Sequence, residues 1–108
     1  MPARPVKLPR LIRLGGWEWR IRRRKLPADI LGLSDESKRT MTIQPGQSRL
    51  DELDTAVHEL FHSILRSQGR PYDEAPEELY VRALATGFVG ALNDNPELLA
   101  YINASLKP

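Results

Sequence analysis

Residues 53–65 read "LDTAVHELFHSIL", and the period of this stretch decides what the rest of the chain is built around. Counting from Leu50, apolar side chains recur at Leu53, Val57, Leu60, Phe61, Ile64 and Leu65. Those spacings of three and four put them on one face of an α-helix. Upstream, Ser48 followed by Asp51 has the form of a capping box with Asp in the Glu position. Downstream, Gly69 and Pro71 are stop signals. The pattern predicts a helix that opens at Ser48 and ends before Gly69.

The only two histidines of the chain, His58 and His62, lie in this helix, with Glu59 directly after the first. A separation of four is one turn plus a little, so both imidazoles project from the same face. Each can then reach one Zn2+ at about 2.0–2.1 Å without distorting the backbone. Glu59 is turned about 100° further round the helix, beside such an ion without binding it. There it is suited to take a proton from a water that the ion acidifies. The competing reading is an ordinary amphipathic helix that carries three polar residues by chance. Two facts favour the metal. Both histidines of the chain fall in the pattern, and unpartnered histidines are disfavoured beside a nearly continuous apolar face.

Composition narrows the alternatives. A chain of 108 residues, 41% hydrophobic and 28% charged, is of the size of one small soluble domain. Without cysteine it has no disulfide and no thiolate ligand, so a metal site must use His, Asp or Glu. The basic N-terminus is not followed by an apolar run of signal-peptide length, and no stretch approaches a membrane span. A cytoplasmic location and no membrane partner are expected. Residues 1–28 hold nine Lys/Arg and one Glu, whereas residues 29–108 are net acidic. Such a basic leading segment can meet nucleic acid or an acidic partner.

Before the helix the period is two. In "GGWEWRIRRRKL" Trp17, Trp19 and Ile21 alternate with Glu18, Arg20, Arg22 and Arg24, as in a half-buried strand. Residues 1–14, rich in proline and basic side chains at their start, are expected to form a flexible arm, or an extended edge over the first ten. "LPADILGLSDESKR" reads as loop, and "TMTIQ" (residues 40–44) as a short strand stopped by Pro45 and Gly46. After the histidine helix, a second helix is predicted from about Pro76 to Leu92, with Glu77 and Glu78 at the positive end of its dipole. A short third helix opens at Asn95-Pro96-Glu97. Strands followed by helices indicate an α+β domain, with the helices packed on one face of a small sheet.

A catalytic zinc keeps three protein ligands and an open position. With no third histidine, the remaining ligand must be a carboxylate from the segment after the helix. Glu78 is preferred because Val81 and Ala85, three and seven residues on, suit close packing against the histidine helix. Glu77, offset by about 100°, is expected to face solvent. Glu77, Glu74 and Asp73 remain as alternatives. Two imidazoles and a carboxylate also accept other divalent ions, with zinc the natural choice for these donor types.

On "LGLSDESKRTMTIQPG", "LDTAVHELFHSIL" and "EELYVRALATGFVGALNDNPELLAYI" the chain resembles small zincin-like metallopeptidases of phages and prophages. These are related to the ImmA/IrrE-like group and fall within the gluzincin pattern of HExxH plus a downstream Glu. The resemblance spans about residues 30–103. It implies a minimal zincin with a short sheet, an active-site helix, a ligand helix and a short C-terminal helix. It also implies that the strand before the active-site helix, here Thr40, Met41, Thr42, Ile43 and Gln44, lies along the cleft and binds an extended protein or peptide substrate. In the activity so implied, His58, His62 and Glu78 hold zinc, Glu59 is the general base, and Tyr72 or Tyr80 is a candidate for oxyanion stabilisation. Two other classes of function stand beside it. One is a zinc-bearing structural or adaptor protein without turnover. The other is a nucleic-acid-associated module using Arg20, Arg22 and Arg24, although on a regular strand Trp17 and Trp19 point away from those arginines.

Overall fold

The structure, a computed structural model, describes residues 6–14, 16–67 and 74–106. Its sheet is placed by β2 (Trp17–Arg23). Trp19 is buried and Ile21 half-buried on the helix-facing side, while Glu18, Arg20, Arg22 and Arg24 are exposed, as the alternation predicts. Trp17 has the inward parity but stands at the strand's first residue and is 56% exposed. The Arg39 guanidinium lies 3.9 Å from its ring centroid, delivered by a left-handed backbone at Arg39 (φ 49°) in the turn before the last strand.

β1 (Leu11–Leu14) pairs antiparallel with β2, Ile12 opposite Trp19. The expectation of an arm over residues 1–14 is therefore corrected at its end. Ile12 and Leu14 are half-buried, and pairing with β2 lets them join the helix-facing side. Residues 1–5 lie outside the described residues. β3 (Gly32–Asp35) and β4 (Thr40–Ile43) complete a four-stranded sheet in the order β1-β2-β4-β3, with β2 and β4 parallel and β3 antiparallel to β4. β3 falls where the sequence reads as loop. Gly32, Ser34 and Asp35 are weak strand formers, and the strand exists because β4 offers it an edge.

The position of β4 overturns its expected role in binding substrate. It is flanked by β2 on one side and β3 on the other, so its backbone has no free edge to offer a peptide. Met41 and Ile43 are fully buried and Thr42 is 6% exposed. Thr40 is opposite Asp35 in the β3 pairing. Gln44 is structural as well. Its side-chain oxygen accepts the Leu26 N–H at 2.8 Å, and its amide nitrogen donates to the carbonyls of Leu26, Pro27 and Ile30 at 2.8–3.0 Å. It thereby ties down the crossover that carries the chain from β2 past β4 to β3.

Three helices follow: α1 (Arg49–Ser67), α2 (Glu74–Asp94) and α3 (Pro96–Ser105), which gives the α+β layout. Ser48 Oγ accepts the Asp51 N–H at 3.1 Å and caps α1. The stop signals Gly69 and Pro71 lie outside the described residues. α2 extends two residues beyond the predicted span at each end. α1 is enclosed from two sides. Val57 and Phe61 pack with Ala85 and Val89 of α2, while the buried Thr55, Glu59 and Ser63 form a second, polar strip that the apolar period does not reveal. Leu50 and Leu53, at the exposed start of the apolar stripe, remain about half exposed. Among the described residues no helix is long and apolar enough to cross a membrane.

Arg23 has the inward parity of Trp19 and Ile21, and it is accommodated by a bidentate pair. Its Nε and an Nη donate to the two carboxylate oxygens of Glu52 at 2.8 Å each, joining β2 to the first turn of α1. The hydrogen bond from Arg23 holds the Glu52 carboxyl below its ordinary value of 4.5. A carboxyl depressed in the folded chain stabilises it fully above that ordinary value, and the stabilisation is lost as pH falls through the depressed one. Glu52→Gln should therefore lower stability by about 1 kcal/mol at neutral pH, a partly exposed pair being worth little more. In urea melts across a pH series, the gap between variant and wild type should close in acid.

Candidate metal centre

His58 and His62 project into the angle between α1, the β3 edge and the first turns of α2. Their Nε2 atoms are 3.3 Å apart. The Glu78 carboxylate faces both, with Oε1 at 2.8 Å from His58 Nε2 and Oε2 at 2.8 Å from His62 Nε2. These are the three residues among those described whose donor atoms could share one ion. Two nitrogens bound to one tetrahedral zinc at about 2.0–2.1 Å stand roughly 3.3 Å apart, the separation found here.

The protons sharpen the fit. His62 Nδ1 lies 2.6 Å from Glu77 Oε2, and a carboxylate can only accept, so Nδ1 carries the hydrogen. In the neutral ring Nε2 then presents a lone pair to Glu78 Oε2. Two acceptors at 2.8 Å repel unless a cation stands with them, either a second proton on the ring or a metal ion. The donor set could thus hold a divalent ion, with one imidazole already oriented through its far nitrogen.

Glu77 departs from expectation. It does not face solvent but is 2% exposed. Arg66 Nη1 donates to both its oxygens at 2.9 and 2.7 Å, and Arg66 also lies 3.7 Å from Glu36. Burial pushes the Glu77 carboxyl up, but the hydrogen bonds from Arg66 and His62, with their charges, together hold it below the usual range. It remains an anion that orients His62. Adjacent acids at the start of one helix have taken different roles because they differ by about 100° in direction. Glu77 points into the α1–α2 interface, and Glu78 points at its cleft-facing edge.

Glu59 is 7% exposed. Ser34 Oγ donates to its Oε1 at 2.6 Å, and Ser63 Oγ donates to its carbonyl at 3.0 Å. Gly32 makes this approach possible. A Cβ built there would stand 2.8 Å from Thr55 Cγ2 and 2.9 Å from Glu59 Cγ. Ser34 and Gly32 were missed in the sequence because their segment reads as loop. The GxS spacing on a short strand was the one signal they offered. Glu59 shares an open cleft of about 950 Å3 with His58, His62, Glu78, Arg66 and the β3 residues Gly32–Asp35. In the same cleft Asp54 has one buried oxygen, Oδ1, without a hydrogen-bond partner among the described residues.

Of the oxyanion candidates, Tyr80 is 69% exposed and does not line the cleft, being about 200° round α2 from Glu78. Tyr72 and the alternative ligand Asp73 lie outside the described residues, as does the side chain of Glu74. On the far side of the sheet Arg20, Arg22 and Arg24 are exposed, but Trp19 is buried in the core. The charge row and that aromatic ring therefore do not act together on one strand of nucleic acid. No protein-family model, curated protein or solved structure matches the chain.

Two outcomes test this geometry. Gly32→Ala should destabilise the fold by about 1–3 kcal/mol in urea unfolding, because overpacking forces Thr55 and Glu59 aside; unchanged or raised stability would mean that β3 and α1 are not in close contact. Glu77→Gln removes the charge that orients His62. It should weaken zinc binding by about 10–100-fold in competition with a chromogenic chelator.

Proposed function

We propose that this chain is a zinc-dependent metallopeptidase. The observation that carries the reading is the convergence of His58 Nε2, His62 Nε2 and the Glu78 carboxylate beside an open cleft, with a further glutamate one residue from the first ligand. Zinc held by those three residues would polarise a peptide carbonyl and acidify a water. Glu59, fixed by Ser34 and lining the same cleft, is the group that accepts the proton and returns it to the leaving amine. Its hydrogen bond to Ser34 occupies Oε1 and limits the rotation of the carboxylate.

The peptide side of the reaction is assigned to β3 in place of residues 40–44. Among the described residues β3 has β4 on one side only, so its other edge has backbone groups with which an extended substrate can pair. Residues 30–36 line the cleft along that edge. Paired there, a substrate would run past the metal ligands with its carbonyls in reach of the centre. Arg66 and Glu77 act at one remove by holding His62.

The test separates binding from turnover. Wild-type protein should bind one zinc per chain and hydrolyse a denatured protein or a mixed peptide library, and a chelator should abolish both. Glu59→Gln should keep the zinc and lose hydrolysis by a factor of about a hundred or more, as general-base removal does. His62→Ala should lose the zinc itself. Zinc binding with no hydrolysis by wild type would instead favour a structural metal. Absence of zinc binding would end the proposal.

A further inference from the structure

The two hairpin turns of the sheet meet at one end of it. β2 and β4 are parallel, so the turn from β1 into β2 lies beside the turn from β3 into β4. The Arg20 N–H donates to the Arg39 carbonyl at 2.9 Å and ties the second turn to β2. Left-handed backbone at Arg39 (φ 49°) is costly for a residue other than glycine. Here it delivers a guanidinium onto the Trp17 ring. Trp17 and Arg39 share an open pocket of about 660 Å3 with Arg13, Arg20, Lys38 and the exposed Leu11. At the first residue of β2 the indole is therefore reached together with arginines of the outer sheet face.

The positive charge continues beyond the pocket. Arg20, Arg22 and Arg24 are exposed along β2, one every second residue or about 6.6 Å. Arg22 Nε donates to Thr42 Oγ1 at 3.3 Å, which holds it on this face. The acids in pairing register here are Glu18, opposite Arg13, and Asp35, opposite Thr40. Glu18 lies 3.7 Å from Arg13. Asp35 Oδ1 accepts from the Ser37 hydroxyl and the Lys38 N–H within its own turn. Neither acid offsets the arginine row.

We propose that this end of the sheet binds single-stranded nucleic acid, with an unstacked base against Trp17 and phosphates along Arg20, Arg22 and Arg24. Guanidinium forks match phosphate oxygens bidentately, and a row of them follows a polyanion. An acidic peptide brings charge but no flat ring to lie against the indole. A duplex brings phosphates, but its bases stack on one another and hide their faces. A single strand offers charge and ring faces together. The Arg39 guanidinium beside the Trp17 ring widens the stacking platform and adds to its charge. This surface lies apart from the cleft of the proposed peptidase, and the inference does not depend on the metal reading.

Fluorescence anisotropy of the full chain with fluorescein-labelled single strands of DNA and RNA, about 20 nucleotides long, tests it. Contact with about four phosphates should weaken binding about fifty-fold between about 50 and 200 mM salt. Arg20→Ala combined with Arg22→Ala should cost at least about tenfold in affinity and flatten that salt dependence. Trp17→Ala should cost about tenfold with the salt dependence unchanged, and Trp17→Phe should restore most of the loss. Circular dichroism checks that each variant is folded. Should Trp17→Ala not fold, Lys38→Glu on the exposed turn probes the same pocket, with a loss of at least about tenfold expected. Absence of binding to both strands at about 50 mM salt overturns the inference. So does equal or tighter binding of a duplex of the same sequence, or binding to phosphatidylserine vesicles alone. A folded Trp17→Ala or Lys38→Glu chain that binds as wild type does overturns it as well.

Discussion

The arrangement of this molecule turns on a conflict among acceptors. His62 gives its one neutral-state hydrogen to Glu77, and its other nitrogen is left facing a carboxylate that has no hydrogen to give. A proton shared between the two groups or a metal ion resolves that meeting, and the surrounding residues are arranged round it. The separation of the imidazoles suits a small tetrahedral ion, and the third donor comes from a different helix. Binding would therefore fasten α1 to α2 as well as create a reactive centre, since ligation energy is also folding energy.

Support for the centre comes from two directions. From α2, the anion Glu77 is kept charged by Arg66 in a place where burial alone would favour its neutral form. From the sheet, β3 presses so close to α1 that a Cβ at position 32 would push Thr55 and Glu59 aside, and the serine two residues later reaches Glu59. One face of α1 thus serves three neighbours. Its apolar stripe meets α2, its polar strip meets β3, and the histidines occupy the arc between them.

Much of this was legible in the sequence. Helical period and HExxH spacing located α1 and the histidine pair, and the small residues following Glu78 singled it out as the carboxylate that now stands against both rings. Alternation identified β2. What escaped was set by tertiary context. Gly32, Ser34 and Asp35 have no strand preference, and their strand is imposed by pairing with Ile43, Met41 and Thr40. Glu77 resembles a solvated acid until Arg66, eleven residues earlier, is folded beside it. Residues 40–44 have the composition of a strand, but composition does not reveal whether a strand is central or at an edge. The crossover that places β4 in the middle depends on Gln44, whose side chain recognises backbone carbonyls that no sequence pattern marks.

That crossover governs the order in which the domain can assemble. β3 and β4 form a local hairpin, whereas β2 reaches β4 only by closing a loop of about twenty residues around it, with Arg20 opposite Thr40. Loop closure of this kind is entropically slower than zipping a hairpin. β3 can therefore form as part of a two-stranded unit before the sheet is whole, and it carries Ser34, the partner of Glu59. The second helix, with its paired acids, packs on α1 and α3 and on no strand among the described residues, so its docking is a contact separate from that of α1 with the sheet. The buried side of Glu59 is thus completed by a strand and the pair of imidazoles by a helix, two contacts that the chain makes separately.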